Sequence, residues 1–415
     1  TLALKQGIAE NHTKFNLPNS AVCKFEADAD FNLAGSTDIS RNDSEYISTG
    51  DSAYTTYTSG SGNFTVPAGV TSVEVLVVAG GGGGCASDNP SDSGGGGGGG
   101  GVVHHSALST TPAGTIAYAV GAGGTAGSES PRDGGDGGDS TFGSITADGG
   151  GNGGADAGGD GGSGGGSGRD NTSPGTATQG DSGGGTGYGF AGGNGGAESS
   201  NTSSGGGGGA GSVGGDSSAT SIGGAGGSGR LFSNFTSYGV SGYFAGGGGG
   251  GGANTPGAAG SGGGGIGGDN SAGGDGTANT GGGGGGAQVE NDGGAGGSGF
   301  IGIYYQTFSA TGTALGTTNV PTSAVTDVSG VMLLKDAYGS TTLGTDVKAY
   351  FTADNSNWTE ATSYADAGTF STGIKMIKLG KTTCTSGSDV RWKIVWANQS
   401  DGSLESHIYG IGLNY

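Results

Sequence analysis

Apolar positions along this chain fall in short runs and never hold a helical spacing. The clearest run is 73–79, Val-Glu-Val-Leu-Val-Val-Ala, preceded by Phe64 and Val66 and a Pro67-Ala68-Gly69 turn. β-Branched residues on both faces predict a strand buried on both sides, and the Pro-Ala-Gly step predicts the turn before it. A second run, Phe300-Ile301-Gly302-Ile303-Tyr304-Tyr305, predicts a closing strand. Between the two, only 102–108, 115–120 and 141–147 carry apolar residues at strand spacing, and the set predicts an antiparallel β-sandwich framework. From residue 325 onward, alternation returns at 331–334, 347–352, 374–379, 390–396 and 407–413, as in half-buried strands. With Trp358, Trp392 and Trp396 as core material, residues 325–415 predict a second, small β-sandwich domain. Residues 1–60 scatter Phe15, Val22, Phe25, Phe31 and Leu33 without a period. They are expected to form a partly extended N-terminal attachment segment, and 307–324 a linker.

The stretch between the two strongest strands changes the picture. Residues 80–299 hold nearly all of the 110 Gly, in unbroken runs at 80–84, 94–101, 205–209, 246–252 and 281–286. Glycine has no side chain to bury, and ordering each residue costs about 1–2 kcal/mol. Order here must therefore come from backbone hydrogen bonds. An extended helix of three residues per turn points every N–H and C=O outward, so several glycine segments packed side by side would satisfy one another. A flexible linker is the alternative, but a structureless insert of this length is unusual inside a compact domain. The expected fold class is all-β with a polyglycine-II-like helical bundle in the glycine-rich domain, 61–306. Collagen is excluded, because the triplet register lapses and the chain has only 8 Pro.

Charge is uneven. The chain carries −21 overall, and residues 61–306 hold 18 acidic residues against 3 basic ones. That balance argues against nucleic acid and against anionic membranes, and no apolar run is long enough to span a bilayer. Cys23, Cys85 and Cys384 are odd in number and far apart, so they set no disulfide framework or metal pair and are expected to be small buried thiols. The sequence opens at Thr1 without an initiator Met, as processing or an incomplete start would leave it.

No catalytic constellation is legible, so no enzyme, metal or cofactor is expected. Gly134-Gly135-Asp136-Gly137-Gly138-Asp139 fits the start of a calcium-binding nonapeptide repeat, but Ser140-Thr141-Phe142 misplaces the apolar residue and no tandem copy follows. His104 and His105 are adjacent and would face opposite sides of a strand, which defeats joint ligation. His12 and His407 have no nucleophile context. The one dense aromatic island lies at 230–244: Phe232, Phe235, Tyr238, Tyr243 and Phe244 amid Gly, Ser and Asn. Such a composition suits a contact surface, and it equally suits a core that caps the glycine segments.

Three sets of residues carry a family resemblance: Phe64-Thr65-Val66-Pro67-Ala68-Gly69-Val70 running into 75–82, Asp139-Ser140-Thr141-Phe142-Gly143-Ser144-Ile145-Thr146-Ala147, and 293–303. The segment resembles the glycine-rich domain of bacteriophage tail and fibre proteins and, more distantly, that of anaplastic lymphoma kinase. Residues 346–354, 357–359 and 407–415 resemble a C-terminal β domain of marine-phage virion fibres. The resemblance implies a jelly-roll-like framework and a homotrimeric structural protein at the virion surface. Other virion proteins would be its partners, and a host-surface glycan or protein a candidate target at 230–244. A secreted adhesin or matrix filament is the alternative. Ice binding would need regular Thr or Ala ranks, which are missing, and a depolymerase would need the catalytic groups already sought.

Overall fold

The computed structural model describes residues 17, 19–25, 31–42, 45–89, 92–196, 203–218, 221–400 and 403–415; the expectations for Phe15 and His12 lie outside them. The described chain is all-β, with several sheets and two short 3-10 turns, Leu33–Gly35 and Ser233–Phe235. The chain divides into two compact units, one of Tyr54–Val66 and Thr71–Tyr305, the other of Thr1–Ala53, Pro67–Val70 and Gln306–Tyr415.

Ser72–Val78, in the first unit, lies at the centre of a five-stranded sheet ordered Thr186–Tyr188, Val102–Ser109, Ser72–Val78, Phe300–Phe308, Gly50–Tyr57, whose last two strands run past the unit's ends at Tyr305 and Tyr54. The two strands that open and close the glycine tract are thus antiparallel neighbours, with Val78 opposite Phe300 and Val75 opposite Ile303. Val73, Val75, Leu76, Val77 and Val78 are all buried, as β-branching on both faces predicts. A four-stranded sheet follows the order Ile145–Ala147, Ser140–Phe142, Thr115–Ala119, Ser61–Thr65. Phe64 stands 6.0 Å from both Phe142 and Tyr305, and the Ser140 hydroxyl donates to the Val78 carbonyl at 2.8 Å, which ties the two sheets together. The tight step between Ser140–Phe142 and Ile145–Ala147 uses Gly143 at φ +58, where a side chain would be strained.

The fold-class expectation needs one correction. No bundle of helices is present among the described residues; the glycine tract is a set of extended segments hydrogen-bonded to one another. Residues 94–101 show the rule. The amides of Gly94, Gly97 and Gly100 donate to the carbonyls of Ala287, Gly284 and Gly281 at 2.8–2.9 Å. Those of Gly95, Gly98 and Gly101 donate to Gly154, Gly151 and Asp148 at 2.8–3.1 Å, and those of Gly96 and Gly99 to Gly205 and Gly208 at 2.9–3.1 Å. Each third residue addresses the same neighbour, so one segment is held by three others without any side chain. A linker would leave these groups to water, whereas here buried amides find carbonyls, as the high cost of an unmet buried polar group requires.

The acidic excess has a structural role in this array. At its rim, an outward amide has no further segment to meet, and an aspartate accepts it instead. Asp139, Asp136 and Asp133 take the amides of Gly149, Asn152 and Ala155 at 2.8, 3.0 and 2.6 Å, stepping three residues at a time in opposite directions. Asp160, Asp181, Asp216 and Asp275 do the same for Thr176, Gly187, Asn194 and Ala295 at 2.7–2.9 Å. The residues that resembled a calcium repeat, Asp136 and Asp139, therefore serve backbone amides.

The second unit faces two sheets over one core. The larger is ordered Tyr364–Ser371, Ile374–Gly387, Val325–Tyr338, Glu405–Asn414, Tyr46–Ser48, Ser40–Asn42, with Ser20–Cys23 also paired to Glu405–Asn414. The smaller runs Gly312–Leu315, Arg391–Trp396, Val347–Thr352, Thr359–Glu360. Met332, Leu334, Ile408 and Ile411 from the first meet Phe351, Trp392, Ile394 and Trp396 from the second, joined by Phe25, Phe31 and Ile47. Two boundaries differ from the sequence reading. The described residues of 1–60 up to Ala53 belong to this unit and build its core. The 307–324 stretch is not a free linker, because Gly312–Leu315 pairs residue for residue with Trp396 back to Lys393. Trp358, expected in the core, stays half-buried at the surface.

Candidate functional site

The aromatic island at 230–244 folds as a small cap on the five-stranded sheet. Arg230–Leu231 pairs with Tyr243–Phe244, and the 3-10 turn Ser233–Phe235 lies between them. Gly242 at φ +84 and Gly239 at φ +59 let the chain double back within so few residues. The cap buries Phe235 and Phe244 completely and Phe232 to 6% exposure, against Leu76, Val78, Val102 and Phe300. Phe244 stacks on Phe300 at 5.1 Å, and Phe232 lies 6.0 Å from Tyr188.

Three of the five residues named as surface contacts are therefore core. Phe232, Phe235 and Phe244 are the apolar underside of the cap and cannot meet a partner. Tyr238 is half-buried, 5.5 Å from Phe300 and 6.1 Å from Tyr54. Tyr243 alone of the five remains 37% exposed, directly across the strand pair from Leu231 at 46%, with Val240 at 43% in the adjoining turn. What faces outward is a smaller apolar patch: Leu231, Val240 and Tyr243.

A polar clamp holds the cap to the sheet. Glu74, on the central strand, accepts from Asn234 Nδ2 of the cap at 2.7 Å and lies 2.9 Å from His104 Nε2 on the neighbouring strand. His104 in turn sits 5.3 Å from the Phe232 ring. Burial pushes the Glu74 carboxyl up, but the hydrogen bonds from His104 and Asn234 and the His104 charge outweigh it and hold the group below its ordinary range. Arg230 adds a cation over the Tyr188 ring at 3.9 Å. Nothing in the sequence pairs Glu74 with His104; strand register brings them together. The adjacent His105 turns aside and accepts from the Ala107 amide at 3.2 Å.

The clamp makes a pH-dependent contribution to stability. A carboxyl depressed on folding stabilises the protein above its unfolded pKa, near 4.5 for Glu74, and the gain disappears as pH falls through the folded value. Asp160, lowered by the Thr176 backbone and hydroxyl bonds, acts in the same sense from 3.8 downward. Glu74→Gln should lower stability at pH 7 by about 1.5–3 kcal/mol, the range for hydrogen bonds to a charged group. It should also weaken the fall in stability between pH 5 and pH 3, as followed in melts at stepped pH.

All three cysteines are buried thiols. Burial pushes the Cys384 thiol up to about 11 and Cys85 higher still, which keeps both protonated and unreactive. A pocket of about 120 Å³ lies among Cys23, Asn319, Trp392 and Ile411. It is well under the roughly 300 Å³ at which small-molecule sites begin.

Compared with known protein families, residues 55–306 match the family described as Glycine-rich domain, more than half of the chain. The chain belongs to the glycine-rich domain family. No curated protein matches it. The family match coincides with the opening and closing strands and everything between them, so the aromatic cap is a feature carried inside this glycine-rich domain.

Proposed function

We propose that this glycine-rich protein is a structural component of a phage virion fibre or appendage, assembled as a homotrimer, with the cap at 230–244 turned toward a host-surface glycan or protein. The observation that carries the proposal is the glycine array itself. Segments that satisfy one another's backbone groups make a stiff body that needs little apolar core, which suits a part exposed outside a particle. The period-three hydrogen bonding of residues 94–101 supports reading the array as polyglycine II. The two sheets bridged by Phe64 and Ser140 support a jelly-roll-like sandwich around it. The sequence resemblance to phage fibre domains supplies the setting, and Leu231, Val240 and Tyr243 supply an exposed apolar patch of the kind contact surfaces use.

The test is direct. Antibody raised against the purified chain should label projecting appendages of the particles whose genome encodes it, and the purified protein should have a mass three times 38.9 kDa. Label on cell surfaces or matrix, with none on particles, would reject the virion reading in favour of a cellular adhesin.

A further inference from the structure

The outer face of the smaller sheet in the second unit carries a cation without a counter-ion. Register sets Leu315 opposite Lys393, Lys393 opposite Tyr350, and Tyr350 opposite Glu360, so these four share one face of the sheet. Their strand neighbours Ala349, Phe351, Trp392 and Ile394 point the other way, into the core. The Lys393 ammonium lies 4.7 Å from the centroid of the Tyr350 ring and 4.7 Å from that of Trp358.

The nearby carboxylates are already engaged. Glu360 faces Lys348 Nζ at 3.5 Å and accepts from the Tyr364 hydroxyl at 3.3 Å. Asp389 holds Arg391 through two bonds of 2.8 and 2.9 Å. Asp354 accepts from the amides of Ser356 and Asn357, from Asn357 Nδ2 and from the Thr352 hydroxyl. That turn fixes the chain just before Trp358 and so holds its ring at the surface. No carboxylate among the described residues lies within ion-pair distance of Lys393. Burial draws its pKa down, as for an ammonium that has lost water and gained only ring faces. In a chain of net charge −21, an unpaired, half-buried cation between two aromatic rings is an unusual surface feature.

We infer that Tyr350, Trp358 and Lys393 form a binding site for an acidic saccharide, the rings covering the apolar face of a sugar and the ammonium taking its anionic group. A flat, partly apolar sugar ring matches two fixed aromatic surfaces at low conformational cost. The anionic group of an acidic sugar unit matches a single uncompensated cation. An acidic peptide would supply the carboxylate without a ring face to cover Tyr350 and Trp358. The inference stands apart from the virion reading, since a binding module of any origin could use this face.

The experiment is calorimetric titration of the full chain with three probes: alginate oligosaccharides, which carry carboxylates; dextran sulfate, which carries sulfates; and neutral dextran. Binding of one or both anionic probes is expected, with none of dextran, and the stronger of the two identifies the anion. Lys393→Met should weaken that binding by roughly tenfold or more, the scale of a charge-assisted contact, with an unchanged melting curve. Lys393→Arg should restore it, and Trp358→Ala should lower it without touching the charge. Absence of binding to both anionic probes, equal binding of dextran, or wild-type affinity in Lys393→Met would each overturn the inference.

Discussion

Gly97→Ala should prevent the glycine-rich unit from folding stably, whereas Gly180→Ala should leave it unharmed. A Cβ added at Gly97 would stand 2.1 Å from the Gly82 carbonyl oxygen, 2.6 Å from its carbon and 2.8 Å from the Gly83 oxygen. No real side-chain carbon tolerates such distances, and the obstacle is backbone, which cannot turn aside as a side chain can. Ordinary overpacking costs about 1–3 kcal/mol where neighbours can repack; the loss here should be at least at the top of that range. Its neighbours repeat the pattern, with contacts of 2.2 Å at Gly96 and 2.1 Å at Gly98. Gly180 has nothing within 4 Å of the same position. There the added methyl restricts only the unfolded chain, which is worth about 0.4–1 kcal/mol of stabilisation. Denaturant melts of the two variants give the comparison, and similar behaviour of both would contradict a close-packed array.

Phe244→Ala and Tyr243→Ala, adjacent residues on one short strand, should have opposite signatures. Phe244 is fully buried and stacked on Phe300, so its truncation should cost about 3–5 kcal/mol of stability. Tyr243 is exposed, and its truncation should change stability by no more than about 0.5 kcal/mol. If the outward patch is a contact surface, the Tyr243 variant should instead lose attachment by about thirtyfold, the worth of a 2 kcal/mol interface anchor. A Tyr243 variant that binds like wild type would leave the cap as packing alone.

What was legible in the sequence follows from how each element is stabilised. Ser72–Val78 and the first half of Phe300–Phe308 could be read because they are mostly buried and their residue types say so. Val347–Thr352 and Arg391–Trp396 could be read because each has one wet and one dry face. Gly312–Leu315 could not, since its Gly-Thr-Ala-Leu composition is that of a loop and only pairing to Arg391–Trp396 makes it a strand. Tyr364–Ser371 is an exposed edge with no alternation to detect. Ser20–Cys23 and Tyr46–Ser48 hid for a related reason: each offers one or two buried residues, such as Cys23 and Ile47, to a core most of whose members lie at the far end of the chain. In the aromatic island, composition located the residues but not their direction. Phe232, Phe235 and Phe244 turn inward because Leu76, Val102 and Phe300 wait there, and no local pattern records those partners. Trp358 erred the opposite way, a bulky apolar ring that a lysine and a fixed turn keep at the surface.

Amide hydrogen exchange across residues 94–101 tests the central claim most directly. Eight consecutive glycines, six of them flanked only by glycine, have no side chains to shield them, so protection can come only from the backbone bonds to 281–287, 148–154 and 205–208. Slow exchange throughout the run, lost only when the whole glycine-rich unit unfolds, is the predicted result. Exchange at the rate of an unstructured chain would contradict the account.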